Sequence, residues 1–348
     1  MADISQRKDD HLALATSGDV GFKRTTTLFE CVQLVHDALP ELDFAELDTS
    51  LEIMGKRLKA PILIAGMTGG SDRAERINRE LSSIAEERGY AFGLGSQRAM
   101  LKDPSRSKTY AVREVAPRAL VLGNLGIVQA RALPSSAIET LVASVGVDAL
   151  CVHMNPAMEL IQDDGDRDFR GGLATIERLL KLPVPIVVKE TGCGISAHVA
   201  RRLRQLGVEH IDVSGAGGTS WVAVETHRAS PGRRSLGEAF WEWGIPTAAS
   251  VGLCEPFGFR TLFATGGISD GLDIAKAIAL GATAGGIARR ALQELETGGR
   301  AGAISFFERV ETELRTAMLL TGSRTLGDLR RAPRLLRGEL AEWLRAAP

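Results

Sequence analysis

Aromatic side chains are scarce in this chain, making up 5% of 348 residues. Packing is therefore left to Val, Ile, Leu and Ala, the fillers of an aliphatic barrel interior. Cysteine is equally sparse. Cys31, Cys151, Cys193 and Cys254 form no CxxC pair and no metal spacing, which excludes zinc-finger and disulfide-framework classes and reads as a reducing cytoplasm. No apolar run reaches the roughly 18 residues of a membrane span, and the charged stretch from Met1 to His11 lacks the apolar core of a signal peptide. Net charge is missing as well. With 42 Lys and Arg against 43 Asp and Glu, no global field recruits nucleic acid. The expectation is a soluble, cytoplasmic protein with neither a nucleic-acid nor a membrane partner.

Glycine, in contrast, is abundant, and its placement is ordered. Eight short apolar runs each end in a glycine-rich or polar cluster. The first four clusters are Met67-Thr68-Gly69-Gly70, Gly95-Ser96-Gln97-Arg98, Gly123-Asn124-Leu125-Gly126 and His153-Met154-Asn155. The others are Lys189-Glu190-Thr191-Gly192, Ser214 to Thr219 (SGAGGT), Thr265-Gly266-Gly267 and Gly285 to Arg289 (GGIAR). The apolar runs read as buried strands at 61–67, 90–95, 119–122, 148–152, 185–189, 210–214, 261–264 and 283–287. Between them fall helical patterns at 71–88, 108–115, 136–145, 171–181, 196–206 and 271–280, the first with Ile77, Leu81, Ile84 and Ala85 on one face. Strand and helix alternate eight times, which favours an α/β fold of the (β/α)8 TIM barrel type over a doubly wound sheet. Residues 1–60 read as an N-terminal extension, 61–300 as the barrel and 301–348 as a C-terminal helical tail, all within one domain. The stretch 220–260 is the longest interruption and adds a helix before the seventh strand.

In such a barrel the C-terminal strand ends converge on one mouth, so these clusters meet around one ligand. SGAGGT and TGG, on consecutive strands, offer backbone N–H groups unblocked by side chains, either as tight turns or as a phosphate cradle. Lys189 ends a buried strand and needs a partner there, either an anionic ligand or a mouth carboxylate. Arg7, Lys8 and His11 are either a solvated segment or, with Arg98, a diphosphate clamp. His153 and Asn155 follow the fourth strand, and Glu159 has the charge to ligate a Mg²⁺ ion that also binds phosphate. The acidic run Asp163 to Asp168 reads as a solvated loop with internal Arg–Asp pairs.

Together these clusters resemble type 2 isopentenyl diphosphate isomerase, a flavin-dependent barrel enzyme. The match is carried by RKDDH (7–11), HDALPELD (36–43), MTGG (67–70), INREL (77–81), GSQRAML (95–101), GNLG (123–126) and HMNPAMELIQDDGDRDF (153–169). It continues with KETGCGIS (189–196), SGAGGTSW (214–221), FWEWGIPT (240–247) and TGGISDGLDIAKAIALGA (265–282). The resemblance implies FMN held by Gly66, Met67, Thr68, Ser96, Asn124, Lys189, Ser214, Thr219, Gly266, Gly267, Ala288 and Arg289. It implies a substrate diphosphate on Arg7, Lys8, His11, Ser96, Gln97 and Arg98, with Asn155 and Met158 beside the substrate, Glu159 on Mg²⁺, and His153 and Lys189 in catalytic roles. The reaction implied is a reversible allylic proton shift between isopentenyl and dimethylallyl diphosphate, with reduced FMN, NADPH as electron source, and a tetramer or octamer.

One position departs from the family pattern. Where HxN is usually followed by x-x-Gln-Glu, this chain has Pro156-Ala157-Met158-Glu159. A methionine sulfur is a weak acceptor with no proton to give. The departure opens a second reading, an FMN-binding paralogue with lost or altered activity. A third reading, another FMN-dependent barrel oxidoreductase such as a 2-hydroxy-acid oxidase, expects a basic His after the sixth strand, and Ser214-Gly215-Ala216-Gly217 has none.

Overall fold

Proline and glycine bound the first apolar run, and Ile62–Ile64 within it is wholly buried as the first barrel strand, β1. The barrel continues through β2 (Ala91–Gly93), β3 (Leu120–Gly126), β4 (Ala149–His153) and β5 (Ile186–Lys189). It closes with β6 (His210–Asp212), β7 (Thr261–Thr265) and β8 (Ala284–Ile287). The structure, a computed structural model, describes residues 10, 12–16 and 18–346. Every neighbouring pair is parallel, and β8 returns to β1. The register matters for function: Gly126 pairs with His153, His153 with Lys189, and Lys189 with Asp212. Three chemically active side chains thus stand side by side on consecutive strands.

The helices follow their local signals. Ser71 caps Asp72–Arg88 by accepting the Ala74 N–H at 3.3 Å, and Ile77, Leu81, Ile84 and Ala85 are fully buried on its inner face. Other segments differ from the sequence pattern. β3 runs on to Gly126 because its pairing with β4 extends that far. The expected helix at 108–115 is a 3-10 turn at Pro104–Tyr110, started by Asp103. The stretch 220–260 holds three helices rather than one, Trp221–Arg228, Pro231–Ala239 and Thr247–Cys254. The C-terminal helical part begins at Arg289, within the span expected for the barrel, rather than at 301, with non-helical backbone at Gly299; the glycine pair there hid its first half.

The described residues of both terminal segments are structured parts of the molecule. The hairpin Leu51–Ile53/Lys56–Leu58 inserts Ile53 and Leu58 into the cluster of Leu63, Leu120, Val187 and Phe263 inside the barrel. It plugs the N-terminal end and leaves the opposite mouth as the open face. Val32–Leu34 pairs antiparallel with Arg334–Leu336, so the C-terminal tail holds a short strand as well as helices. Thr325 and Asp328 form a reciprocal capping box ahead of helix Leu326–Arg331. No helix among the described residues is long and apolar enough to cross a membrane.

Candidate functional site

At the C-terminal strand ends lies a cavity of about 480 Å³, within the range of small-ligand pockets. Its wall takes Gly66 and Met67 just after β1, Ser96 and Arg98 after β2, Asn124 from β3, His153 from β4, Asn155 at the cap of the short helix Pro156–Ile161, and Met158 and Glu159 within that helix. Lys189, Ser214 and Thr219, Gly266 and Gly267, and Ala288 and Arg289 complete the ring. Two expected residues stand behind this wall. Gln97 is fully buried, and its Oε1 accepts the Asn124 N–H at 2.9 Å, so it braces the wall rather than reaching a diphosphate. Thr68 is buried beside Met67, with an Oγ1 that has no partner among the described residues. Arg7, Lys8 and His11 lie outside the described residues.

Asn124 fixes the neighbouring histidine. Its Nδ2 donates to Leu94 O at 3.0 Å, which turns Oδ1 toward His153 Nδ1 at 2.8 Å. Nδ1 must then carry the proton it donates. Lys189 Nζ donates to Glu190 O at 2.6 Å and lies 3.9 Å from Asp212 Oδ2. Asp212 in turn accepts Thr265 Oγ1–H at 2.6 Å and Ser214 N–H at 3.1 Å. Burial raises the Asp212 carboxyl above its ordinary range, opposed by the Lys189 charge. Ser214 sits at φ 38, a backbone region that disfavours side chains. It is held there from both sides, since its carbonyl accepts Gly192 N–H and Gly194 N–H at 2.8 and 3.1 Å. Asp212 was missed in the sequence reading, although a lone acid ending the run His210-Ile211-Asp212 was a visible signal.

Glu190 is buried and accepts N–H bonds from Thr191 and Cys193. Burial pushes its carboxyl up to about 7. The fold then binds a proton that the unfolded chain releases near 4.5, so this contribution is full below that value and is lost as pH rises through about 7. The melting temperature of the unmutated protein should fall relative to Glu190→Gln between about pH 5 and about pH 8. Parallel melting curves would overturn this assignment.

The residues fit FMN. Among the described residues, the main-chain N–H groups of Gly217, Gly218, Gly266 and Gly267 donate to no protein acceptor, leaving adjacent loops of free donors suited to a phosphate. A Cβ on Gly218 would fall 2.4 Å from Gly267 N, so the loops touch backbone to backbone. The Lys189 cation adds a charged group of the kind a flavin ring uses. For a metal the set is thinner. Glu159 is buried, with Oε1 accepting Asn155 Nδ2–H at 3.0 Å and Oε2 accepting Asp166 N–H at 2.9 Å. No cluster of three or more metal-binding side chains occurs among the described residues. The acidic run after Glu159 is solvent-exposed at Asp163, Asp164 and Asp168, with Arg170 paired to Asp168, as expected, and it is also anchored: Asp163 accepts from Ser230, Asp166 from Gln129, and Arg167 caps backbone carbonyls including Gln162 O.

Fold and site together define an FMN-binding α/β barrel. Residues 152–336 match the FMN-dependent dehydrogenase family. Mandelate oxidase with (S)-2-phenylpropionate shares the fold, at TM-score 0.66 and 20% identity, covering 96% of this chain and 98% of the oxidase. The isopentenyl-diphosphate delta-isomerase of Methanothermobacter thermautotrophicus is 46% identical over 98% of this chain and 96% of its own length. That of Halobacterium salinarum is 45% identical over 97% and 95%. The chain belongs to the isopentenyl-diphosphate delta-isomerase family, in its FMN-dependent type 2 form.

Proposed function

We propose that the protein interconverts isopentenyl and dimethylallyl diphosphate by a 1,3-allylic proton shift with no net redox. The observation that carries this is the single cavity in which Lys189, His153, Arg98, Glu159 and the two glycine loops meet, in a chain of this family. Bound FMN in its reduced form supplies acid–base chemistry at the reacting carbons, with NADPH as the electron source. Lys189 holds a positive charge at the cavity wall, favouring an anionic ring. Arg98 and Ser96 face the diphosphate, and we assign Arg7, Lys8 and His11 to it as well. Glu159 would be the residue to hold Mg²⁺, which often takes only one or two carboxylates and would supply positive charge against the diphosphate. His153, oriented by Asn124, presents its ring to the same space. The chain serves as one FMN-binding domain, and we assign it to the cytoplasm as a homo-oligomer, tetramer or octamer. Exposed Trp243 and Phe240, and free cysteines throughout the described residues, support the assembly and the compartment.

Met158 is the reason for a second reading, a flavin-binding protein of altered activity. Its sulfur lies 3.8 Å from Asn155 Nδ2 and can only accept. Any proton moved at the substrate must therefore come from elsewhere in the cavity. Met158→Gln is expected to raise turnover by up to about 10-fold or leave it similar, as an added positioned amide assists proton transfer. A large loss would give the methionine a positive role. The deciding assay is anaerobic, with reduced FMN, following solvent deuterium into the five-carbon diphosphate. Isomerisation with exchange supports the first reading, while neither isomerisation nor exchange leaves the second.

A further inference from the structure

No residue of the motif Phe240-Trp241-Glu242-Trp243-Gly244 itself lines the cavity, yet the motif is bound to a segment more than 200 residues earlier in the chain. Lys23 N–H donates to Glu242 Oε1 at 2.8 Å, and Arg24 and Thr25 N–H donate to Oε2 at 3.1 and 2.8 Å. Three consecutive main-chain donors thus end on one carboxylate. Burial alone would raise this carboxyl, but the N–H bonds prevail and hold it below its ordinary range. Trp241 works alongside it. Its Nε1 donates to Gly21 O at 2.9 Å, and Lys23 Nζ lies 4.3 Å from its ring centroid.

What is held is a strap across the mouth. On its other side Phe22 N–H donates to Gly218 O at 3.2 Å, and Ser220 N–H to Val20 O at 2.8 Å. Gly217 lies directly beneath it. At φ +115, a Cβ there would fall 2.2 Å from Thr27 N, so only glycine lets the strap lie this close. Gly21 and Phe22, within the strap, line the cavity, as do Leu12 and Ala15 ahead of it. Arg289 anchors that preceding turn through Ala15 O and Gly18 O, at 2.9 and 2.8 Å.

We propose that Glu242 is a positioning residue that clamps the main chain of Lys23–Thr25, holds residues 20–27 as one wall of the substrate cavity, and so sets affinity for the isoprenoid diphosphate without touching it. The substrate named here rests on the reading under Proposed function; the clamp itself does not.

The test uses Glu242→Gln in the FMN-loaded protein, with trypsin as an independent probe because Lys23 and Arg24 are cleavage sites inside the strap. The neutral amide turns N–H groups toward N–H groups, so at least one strap donor loses its acceptor. Cleavage after Lys23 and Arg24 should speed up by about 10-fold or more, the scale of one lost charge-assisted bond. KM for isopentenyl diphosphate should rise by about 10-fold, with kcat within about 3-fold of the unmutated enzyme. Glu242→Asp, which keeps the charge, should recover part of both effects. Trp241→Phe, which removes only the indole N–H, should give a smaller change of the same kind. Unchanged cleavage, or a fall in kcat at constant KM, would overturn the proposal. If Glu242→Gln proves unfolded by melting, the Trp241→Phe cleavage rate decides. Faster strap cleavage in a protein that does not turn over isopentenyl diphosphate would support the clamp and overturn the substrate.

Discussion

Lys189→Ala is expected to cut turnover by on the order of 10²–10³-fold, the cost typical of removing one preorganised charge or donor from an active site, and to loosen FMN. The reason lies in the barrel register. Lys189 ends β5 between His153 on β4 and Asp212 on β6, with its side chain 16% exposed at the cavity and Asp212 nearly sealed beneath. Alanine removes the cavity-wall cation that we propose faces the flavin and leaves a buried carboxylate without its counter-charge. Removing one partner of a buried pair costs about 3–5 kcal/mol in well-sealed cases; the 3.9 Å separation here makes this pair a loose example. The two losses separate in a double variant. Lys189→Ala/Asp212→Asn keeps the acceptor for Thr265 and Ser214 but removes the stranded charge. Melting temperature should recover, while FMN affinity and turnover should not. Fluorescence titration of FMN and the anaerobic assay read these quantities, and a single variant with unchanged affinity and turnover would remove Lys189 from the site.

Gly266→Ala should weaken FMN binding by at least about 100-fold, because several cradle donors move together and each neutral bond contributes about 1 kcal/mol. Gly266 has φ +95, and a Cβ there would lie 2.1 Å from Gly215 O and 2.8 Å from Gly215 N. Both contacts are backbone, so no side chain can swing away. The TGG loop must part from the SGAGGT loop, and the paired N–H donors part with it. Gly207→Ala is the matched control. It has the same φ of +95, but nothing lies within 4 Å of its Cβ. That variant should lose about 1 kcal/mol of stability from the left-handed backbone alone and keep its FMN affinity. Retained FMN in Gly266→Ala would mean that this loop contact does not build the phosphate site.

Much of the site was legible along the chain because barrel strands carry their ligand-facing groups at their C-terminal ends. Ser96, Asn124, His153, Lys189 and Ser214 each follow an apolar run, and closure of the ring delivers them to one cavity. Gln97 was misplaced because a residue's position after a strand does not say which way its side chain turns; the Asn124 N–H draws it under the wall. The strap was not legible at all. Nothing in Phe22-Lys23-Arg24-Thr25 announces that a glutamate 217 residues later takes its backbone donors. The FWEWG motif was conspicuous, but its partner is main chain, which has no residue-type signature.

By its order of apolar runs and polar ends, the sequence alone determined the eight-fold strand–helix alternation and the side of the barrel on which chemistry collects. Both are local properties, set by hydrophobic periodicity and by what each strand ends in. Only the tertiary structure decided that Lys189 meets Asp212, that Asn124 sets the His153 proton, and that the main chain of Lys23–Thr25, next to the cavity wall, is bound by Glu242. Those are contacts between residues from 23 to over 200 apart that share no local pattern, and they exist only once closure of the ring fixes distances between strands.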